Sequence, residues 1–422
     1  MSASGHGDES PSLPARLKMT SWLETASTYA VMAALNSEGA EARFVGGAVR
    51  NSLLGEDVSD IDIASTTEPS DTLARLRRAG IKTLPTGIAH GTVTAITPER
   101  HFEITTLRRD VQTDGRRAKV VYGSNWEEDA RRRDFTFNAL YADKNGTLYD
   151  PLNGYADVMA KRICFIGDAR TRIREDYLRI LRFFRFHAIY GGVFDTTALE
   201  ACIAERDGLL TLSGERMRQE LFRLLLAQNV IRALEVMMEA GILRVILPEA
   251  TMMTRLSGLT GLQRNAGALP DALLRFGALI TDDARARQTV AARFKLSNSE
   301  RERLLAMTSP TKLEEVFSPQ DGRRMIYEAG VQAYKDRLAL AWAEDKTGKS
   351  SSHWRELAAL AQEWEIPRFP ISGADLKEFG VSEGPRMGTL LAIIESEWIA
   401  GDFMQDRATL LDIIKKHLQS GR

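Results

Sequence analysis

The rhythm of apolar and polar positions changes near residue 150. Before that point the apolar runs are short and alternate with polar residues. Segments 44–45, 60–64, 91–96, 102–107 and 148–149 read as strands, interrupted by one helical stretch at 70–79. Beyond it the period lengthens to that of amphipathic helices, at 175–190, 215–227, 232–239, 300–307, 354–364 and 388–399. The pattern predicts an α+β chain, with a small mixed-sheet head followed by an elongated all-α neck, body and tail. Residues 1–20, rich in Ser, Gly and Pro, read as a disordered tail. The head is expected over 21–150, the neck over 151–228, the body over 229–345 and the tail over 346–422. Ser21 and Glu24 stand at capping-box spacing, so order is expected to begin there, with a helix ending near Leu35. Trp342, Trp354, Trp364 and Trp398 read as core anchors of the helical arm.

Composition narrows the class. The chain has 422 residues, 44% of them apolar, enough to bury several cores, and by length about three domains or more are expected. No uninterrupted apolar run is long enough to span a bilayer, and the first residues lack the apolar core of a secretory signal. Two cysteines, Cys164 and Cys202, cannot build a disulfide framework and suit the reducing cytoplasm. The balance of 56 basic and 57 acidic residues gives no bulk signature of a nucleic-acid partner. That neutrality conceals segregation, because residues 161–187 hold eight Lys/Arg against three acids.

The segment Phe44-Val45-Gly46-Gly47-Ala48-Val49-Arg50-Asn51 leads into Ser59-Asp60-Ile61-Asp62-Ile63. The strand period of two puts Asp60 and Asp62 on one face and Ile61 and Ile63 on the core side. Neighbouring carboxylates repel unless a cation lies between them, and hard oxygen ligands favour Mg²⁺. Glu103, flanked by Phe102 and Ile104, offers a third carboxylate. Three acids on one sheet face fit two-metal phosphoryl transfer. Gly46-Gly47, after a strand and before a helix, lets backbone N–H groups approach phosphate oxygens, with Arg50 adding charge. Alone, the acidic pair is compatible with a solvated face and the glycines with a plain turn; their order and spacing carry the signal.

Two arginine clusters follow. In the run Arg131-Arg132-Arg133-Asp134-Phe135-Thr136-Phe137-Asn138, the guanidinium groups can grip triphosphate oxygens while Asp134 and Asn138 suit ribose hydroxyls. In the run from Glu175 to Phe186, Asp176 and Arg179 stand three apart, neighbours if helical. Such a pair can present acceptor and donor groups to the edge of a base, or simply form a surface ion pair. Arg182 and Arg185 continue the same three-residue spacing.

Together these segments resemble the class II tRNA nucleotidyltransferase and poly(A) polymerase family, within the polymerase β-like nucleotidyltransferase superfamily. Residues 44–63 resemble its motif A, 131–140 motif B, Asp150-Pro151-Leu152-Asn153-Gly154 the hinge-like motif C, 175–186 motif D and 213–221 motif E. The resemblance implies an enzyme that adds CCA to tRNA 3′ ends from CTP and ATP with Mg²⁺. Asp60 and Asp62 would be the metal ligands and Glu103 the third catalytic carboxylate. Gly46, Gly47, Arg50, Arg132 and Arg133 would hold the triphosphate, and Asp134 and Asn138 the ribose. Asp176 and Arg179 would read the base, with Arg182 and Arg185 against the nucleotide, and motif E, an N-capped helix, as a buttress. Two positions depart from the family pattern: Asn51 stands where an acid is usual, and Tyr177 where proline is frequent.

Segments 86–92 and 108–116 look like those of tRNA-type members, and the charged stretch around Arg116 suits either a mobile loop or an ordinary hairpin. Gly384-Pro385-Arg386-Met387-Gly388 resembles a tail segment contacting the tRNA elbow, or else a common helix start. Arg116 and Arg386 are therefore RNA-binding candidates. None of His187, His353 and His417 precedes an aspartate, so no HD-type phosphohydrolase is expected. Poly(A) addition, A-only addition, small-molecule nucleotidyl transfer and an inactive RNA-binding relative remain as alternatives, and the oligomeric state stays open.

Overall fold

Asp62 and Glu103 become neighbours because a mixed sheet sets their strands side by side. A computed structural model of the chain describes residues 13–18, 20–88, 91–114, 117–308, 318–345 and 351–420. The chain divides into two units, Met1–Pro248 and Glu249–Arg422.

In the first unit, α1 (Ala26–Leu35) precedes β1 (Ala42–Val45), α2 (Gly47–Leu54), β2 (Ile61–Ser65) and α3 (Pro69–Arg78). There follow β3 (Lys82–Gly87), β4 (Thr92–Ile96), β5 (His101–Thr106), β6 (Arg108–Asp114) and β7 (Arg117–Tyr122). Next come α4 (Trp126–Arg131), β8 (Tyr141–Ala142), β9 (Leu148–Tyr149), α5 (Tyr155–Met159), α6 (Ala169–Glu175) and α7 (Leu178–Tyr190). The unit closes with α8 (Thr196–Ala204), α9 (Gly214–Leu226), α10 (Val230–Glu239) and α11 (Ile242–Ile246). Seven strands form one sheet in the order β3-β4-β5-β2-β1-β8-β9, in which only β2 and β5 run parallel. The hairpin β6–β7 stands apart from it.

The alternation read from sequence holds in β2, where Ile61 and Ile63 are buried and Asp62 is half-buried. Val45, Ala64, Leu107, Ala130, Ala139, Tyr141 and Ile166 pack into one core under the sheet. Gly154 fits where no side chain would: a Cβ there would lie 2.3 Å from the carbonyl oxygen of Thr136. Asp150 fixes the same turn by accepting from the amides of Gly154 and Tyr155, each at 2.8 Å.

Several boundaries differ from expectation. The capping residue of α1 is Thr25, whose hydroxyl accepts from the Thr28 amide, and not Ser21. Residues 13–18 are not a loose tail, because Leu17 is buried and its amide donates to the Gly146 carbonyl. Residues 1–12 lie outside the described residues. Strands β3 and β6 carry too few apolar positions to show in the sequence pattern, and β6 and β7 flank the stretch read as either a mobile loop or an ordinary hairpin. Ser213 holds the N-cap position of α9 but makes no side-chain capping bond.

Among the described residues of the second unit, helices are the regular elements, joined by loops and one isolated bridge. Trp354 is buried, with Trp342 and Trp364 packed around its cluster, and Trp398 anchors a second cluster, as expected of core residues. No helix among the described residues is long and apolar enough to cross a membrane.

Candidate active site

The sheet register places Asp62 directly opposite Glu103 on the parallel neighbour, while Asp60 lies just before β2 on an exposed stretch. Burial, Glu103 and Asp60 push the Asp62 carboxyl up to about 6, against the pull of Arg133 and Arg50. The three acids therefore share one field, although no three His, Cys, Asp or Glu side chains among the described residues stand at metal-ligand spacing. Carboxylate oxygens are hard donors, of the kind that suits a divalent cation such as Mg²⁺.

Gly46 joins this acidic face to the arginines. Its φ of +68° is a conformation that favours glycine, and it lets the chain turn from β1 into α2. A Cβ at Gly46 would lie 3.9 Å from an Arg133 guanidinium nitrogen and 4.0 Å from an Asp62 carboxylate oxygen. One at Gly47 would lie 3.7 Å from Arg50. Arg50 is 6% exposed, and burial lowers its pKa. Its guanidinium donates to the side-chain oxygens of Asn138 and Asn51 and lies against the rings of Phe137, Phe186 and Tyr190.

Arg132 and Arg133 are both held by Asp129, a fully buried carboxylate that the sequence reading did not single out. The Tyr141 hydroxyl donates to the same carboxylate at 2.8 Å. Burial alone would raise the Asp129 carboxyl, but Arg133 and Arg132 hold it below the usual range. Its signal was available in the sequence as an acid one helical turn before Arg133 on α4. Arg172 of α6 donates to the main-chain oxygens of Arg132 and Arg133, tying the two arginine clusters together.

Asp134 accepts from Arg182 at 2.7 Å, from Asn138 at 3.1 Å and from the Phe135 amide at 2.9 Å. Burial works to raise this carboxyl, yet Arg182 and Asn138 bring it down to about 2. Arg185 pairs with Glu220 of α9 at 2.7 Å. Burial lowers Arg185 to about 10 despite that partner.

Asp176 and Arg179 do not lie on one helix, as their spacing implied. The chain breaks between α6 and α7, and Asp176, in extended conformation, accepts from the Leu178 amide. Asp176 pairs with Arg216 at 2.7 Å, and Arg179 with Glu175 at 2.6 Å. Motif E thus touches motif D through Arg216 and Glu220. The basic excess of 161–187 is also largely met by acids from outside it, including Asp134, Asp157, Glu205 and Glu220. Arg116 lies outside the described residues. Arg386 is exposed in the first turn of the helix Pro385–Ala400, in the second unit.

A mixed sheet bearing paired carboxylates, a glycine turn into a helix and buried arginines, followed by helices, is the make-up of a nucleotidyltransferase head on a helical support. Residues 42–164 match the family model of the poly A polymerase head domain, and 194–253 match that described as "Probable RNA and SrmB- binding site of polymerase A". Over 392 residues the chain is 33% identical to the mitochondrial CCA tRNA nucleotidyltransferase 1 of Mus musculus, covering 90% of this chain and 87% of the relative. The chain belongs to the CCA tRNA nucleotidyltransferase family. The CCA-adding enzyme of Levilactobacillus brevis is 29% identical, over 90% of this chain and 95% of its own. A crystal structure of the Bacillus stearothermophilus CCA-adding enzyme in complex with CTP superposes with a TM-score of 0.75, at 26% identity, covering 92% of this chain and 96% of that one.

Proposed function

We propose that this chain extends tRNA 3′ ends with CCA, taking CTP and ATP without a nucleic-acid template and releasing pyrophosphate. The observation that carries the reading is the position of Gly46, within reach of both the Asp62 carboxylate and the Arg133 guanidinium. A triphosphate laid along that turn would have acids on the side of its α-phosphate and arginines along its length.

In this reading the tRNA 3′-hydroxyl attacks the α-phosphate in line with the leaving pyrophosphate. Asp60 and Asp62 would hold Mg²⁺, which would supply neutralisation of triphosphate charge and a lowered pKa for the attacking hydroxyl. Glu103, beside Asp62, helps to draw the hydroxyl proton away. Backbone N–H groups at Gly46 and Gly47, with Arg50, Arg132 and Arg133, hold the triphosphate. Asp134 and Asn138 are the polar groups suited to the ribose hydroxyls. Asp176 and Arg179 offer an acceptor and a donor to the base, each pre-set by Arg216 and Glu175. Arg182 and Arg185 back the nucleotide pocket. Arg386 is a candidate tRNA contact in the tail. Two free cysteines support a reducing compartment, the cytoplasm in this reading.

The test is incubation of the purified protein with tRNA lacking one, two or three terminal nucleotides, each NTP supplied separately. Addition of C, C and then A, with a stop, is expected. A long A-tail would establish poly(A) polymerase activity instead, and A-only addition a partner enzyme that supplies the two C residues.

A further inference from the structure

Asn51 uses both ends of its side-chain amide, and the two ends serve different parts of the site. Its oxygen accepts from Arg50 Nε at 3.2 Å, from a terminal Arg50 nitrogen at 2.9 Å and from the Tyr190 hydroxyl of α7 at 2.9 Å. Its nitrogen donates to the main-chain oxygen of Asp57 at 2.8 Å. The amide's orientation is fixed by its surroundings, because Arg50 has only donors to offer and a carbonyl only acceptors. The main chain of Asn51 adds a further tie, accepting from the Glu56 amide at 2.9 Å. Gly55, in left-handed conformation, ends α2 between these contacts. The stretch so anchored runs through exposed residues and a half-buried Val58 to Asp60.

We propose that Asn51 is a positioning residue that couples Arg50 and α7 to the segment carrying Asp60. This rests on the reading of Asp60 and Arg50 as metal and triphosphate ligands. An aspartate at position 51 could still accept from Arg50 and Tyr190, but it has no proton to give the Asp57 carbonyl and would repel it. The departure from an acid therefore does more than preserve a contact to Arg50. It adds a tie between the triphosphate side and the metal side that a carboxylate cannot make. Tyr190 holds the acceptor end only, so its hydroxyl and the Asp57 contact can be removed independently.

The experiment compares wild type, Asn51→Asp, Asn51→Ser and Tyr190→Phe in two measurements. The first is amide hydrogen exchange of residues 55–60 in the full chain without nucleotide or metal. Losing one net hydrogen bond corresponds to about fivefold faster exchange in Asn51→Asp and Asn51→Ser, with Tyr190→Phe unchanged. The second is the Mg²⁺ concentration for half-maximal CTP incorporation, expected to rise about fivefold in the same two variants and not in Tyr190→Phe. Serine is too short to reach the Asp57 carbonyl and brings no charge, so it separates the lost donor from the added acid. Unchanged exchange in both Asn51 variants overturns the proposal, as does faster exchange with an unchanged Mg²⁺ requirement. A wild-type protein that incorporates no nucleotide overturns the functional reading instead, and the exchange measurement still decides whether Asn51 anchors the segment.

Discussion

Asp62 on β2 and Glu103 on β5 are cross-strand partners in the one parallel pairing of the main sheet among the described residues. Burial raises the proton affinity of Asp62, and the neighbouring Glu103 adds to the effect. A fold selected for stability alone gains nothing from the arrangement, whereas a site that binds a cation and a triphosphate does.

Replacing Asp62 by asparagine removes a ligand while keeping shape and burial. Incorporation of CTP into tRNA lacking its terminal nucleotides is expected to fall at least about 100-fold, with tRNA binding retained. The melting temperature of the metal-free protein should rise, because a charge opposed by Glu103 and Asp60 is gone. Near-normal incorporation would sink the metal assignment.

The Arg179 side chain is aimed by Glu175 while the Asp176 carboxylate pairs with Arg216, so removing the guanidinium should act on base choice without collapsing the Asp176–Arg216 pair. Incorporation of each of the four NTPs by Arg179→Ala is the measurement. Discrimination of C and A over U and G is expected to drop about tenfold or more. An unaltered preference would remove Arg179 from the base-reading role.

Asp129 is the single buried carboxylate holding both Arg132 and Arg133. Breaking such a buried group costs about 3–5 kcal/mol, so Asp129→Asn should lower the thermal midpoint clearly. The KM values for CTP and ATP should rise together, since neither arginine faces the base in this reading. A lowered midpoint with unchanged KM values would confine Asp129 to stability.

His187 on α7 is buried and stacked on Phe194 at 3.8 Å between ring centroids, and burial lowers its pKa to about 4. Folding therefore favours the neutral ring. Above the unfolded value of about 6.5 neither state binds the proton, and stability is unaffected. As pH falls from about 6.5 to about 4 the unfolded chain takes the proton first, and about 3 kcal/mol is lost. Urea unfolding across that range should show the loss in wild type and its reduction in His187→Phe. Equal pH dependence in both proteins would assign the effect to other groups.

The sequence carried the parts of this protein that depend on near neighbours. Period-two alternation located β1, β2, β4, β5 and β9, and the longer period located most helices, because each follows from which face of a short element must be buried. The spacing of Gly46-Gly47, Asp60, Asp62 and the arginine runs pointed to phosphoryl transfer for the same local reason. β3 and β6 escaped because they hold few apolar positions and owe their form to pairing partners.

What only the tertiary structure decided is which charge meets which. Arg182 pairs with Asp134 across 48 residues and Arg216 with Asp176 across 40, while Asp176 and Arg179, three apart, find different partners. Spacing along a helix brings two side chains within reach only if one helix contains both, and here the chain breaks after Glu175. The placement of buried charge is set by desolvation and by the packing of distant elements, and neither can be read from a residue's neighbours in the chain.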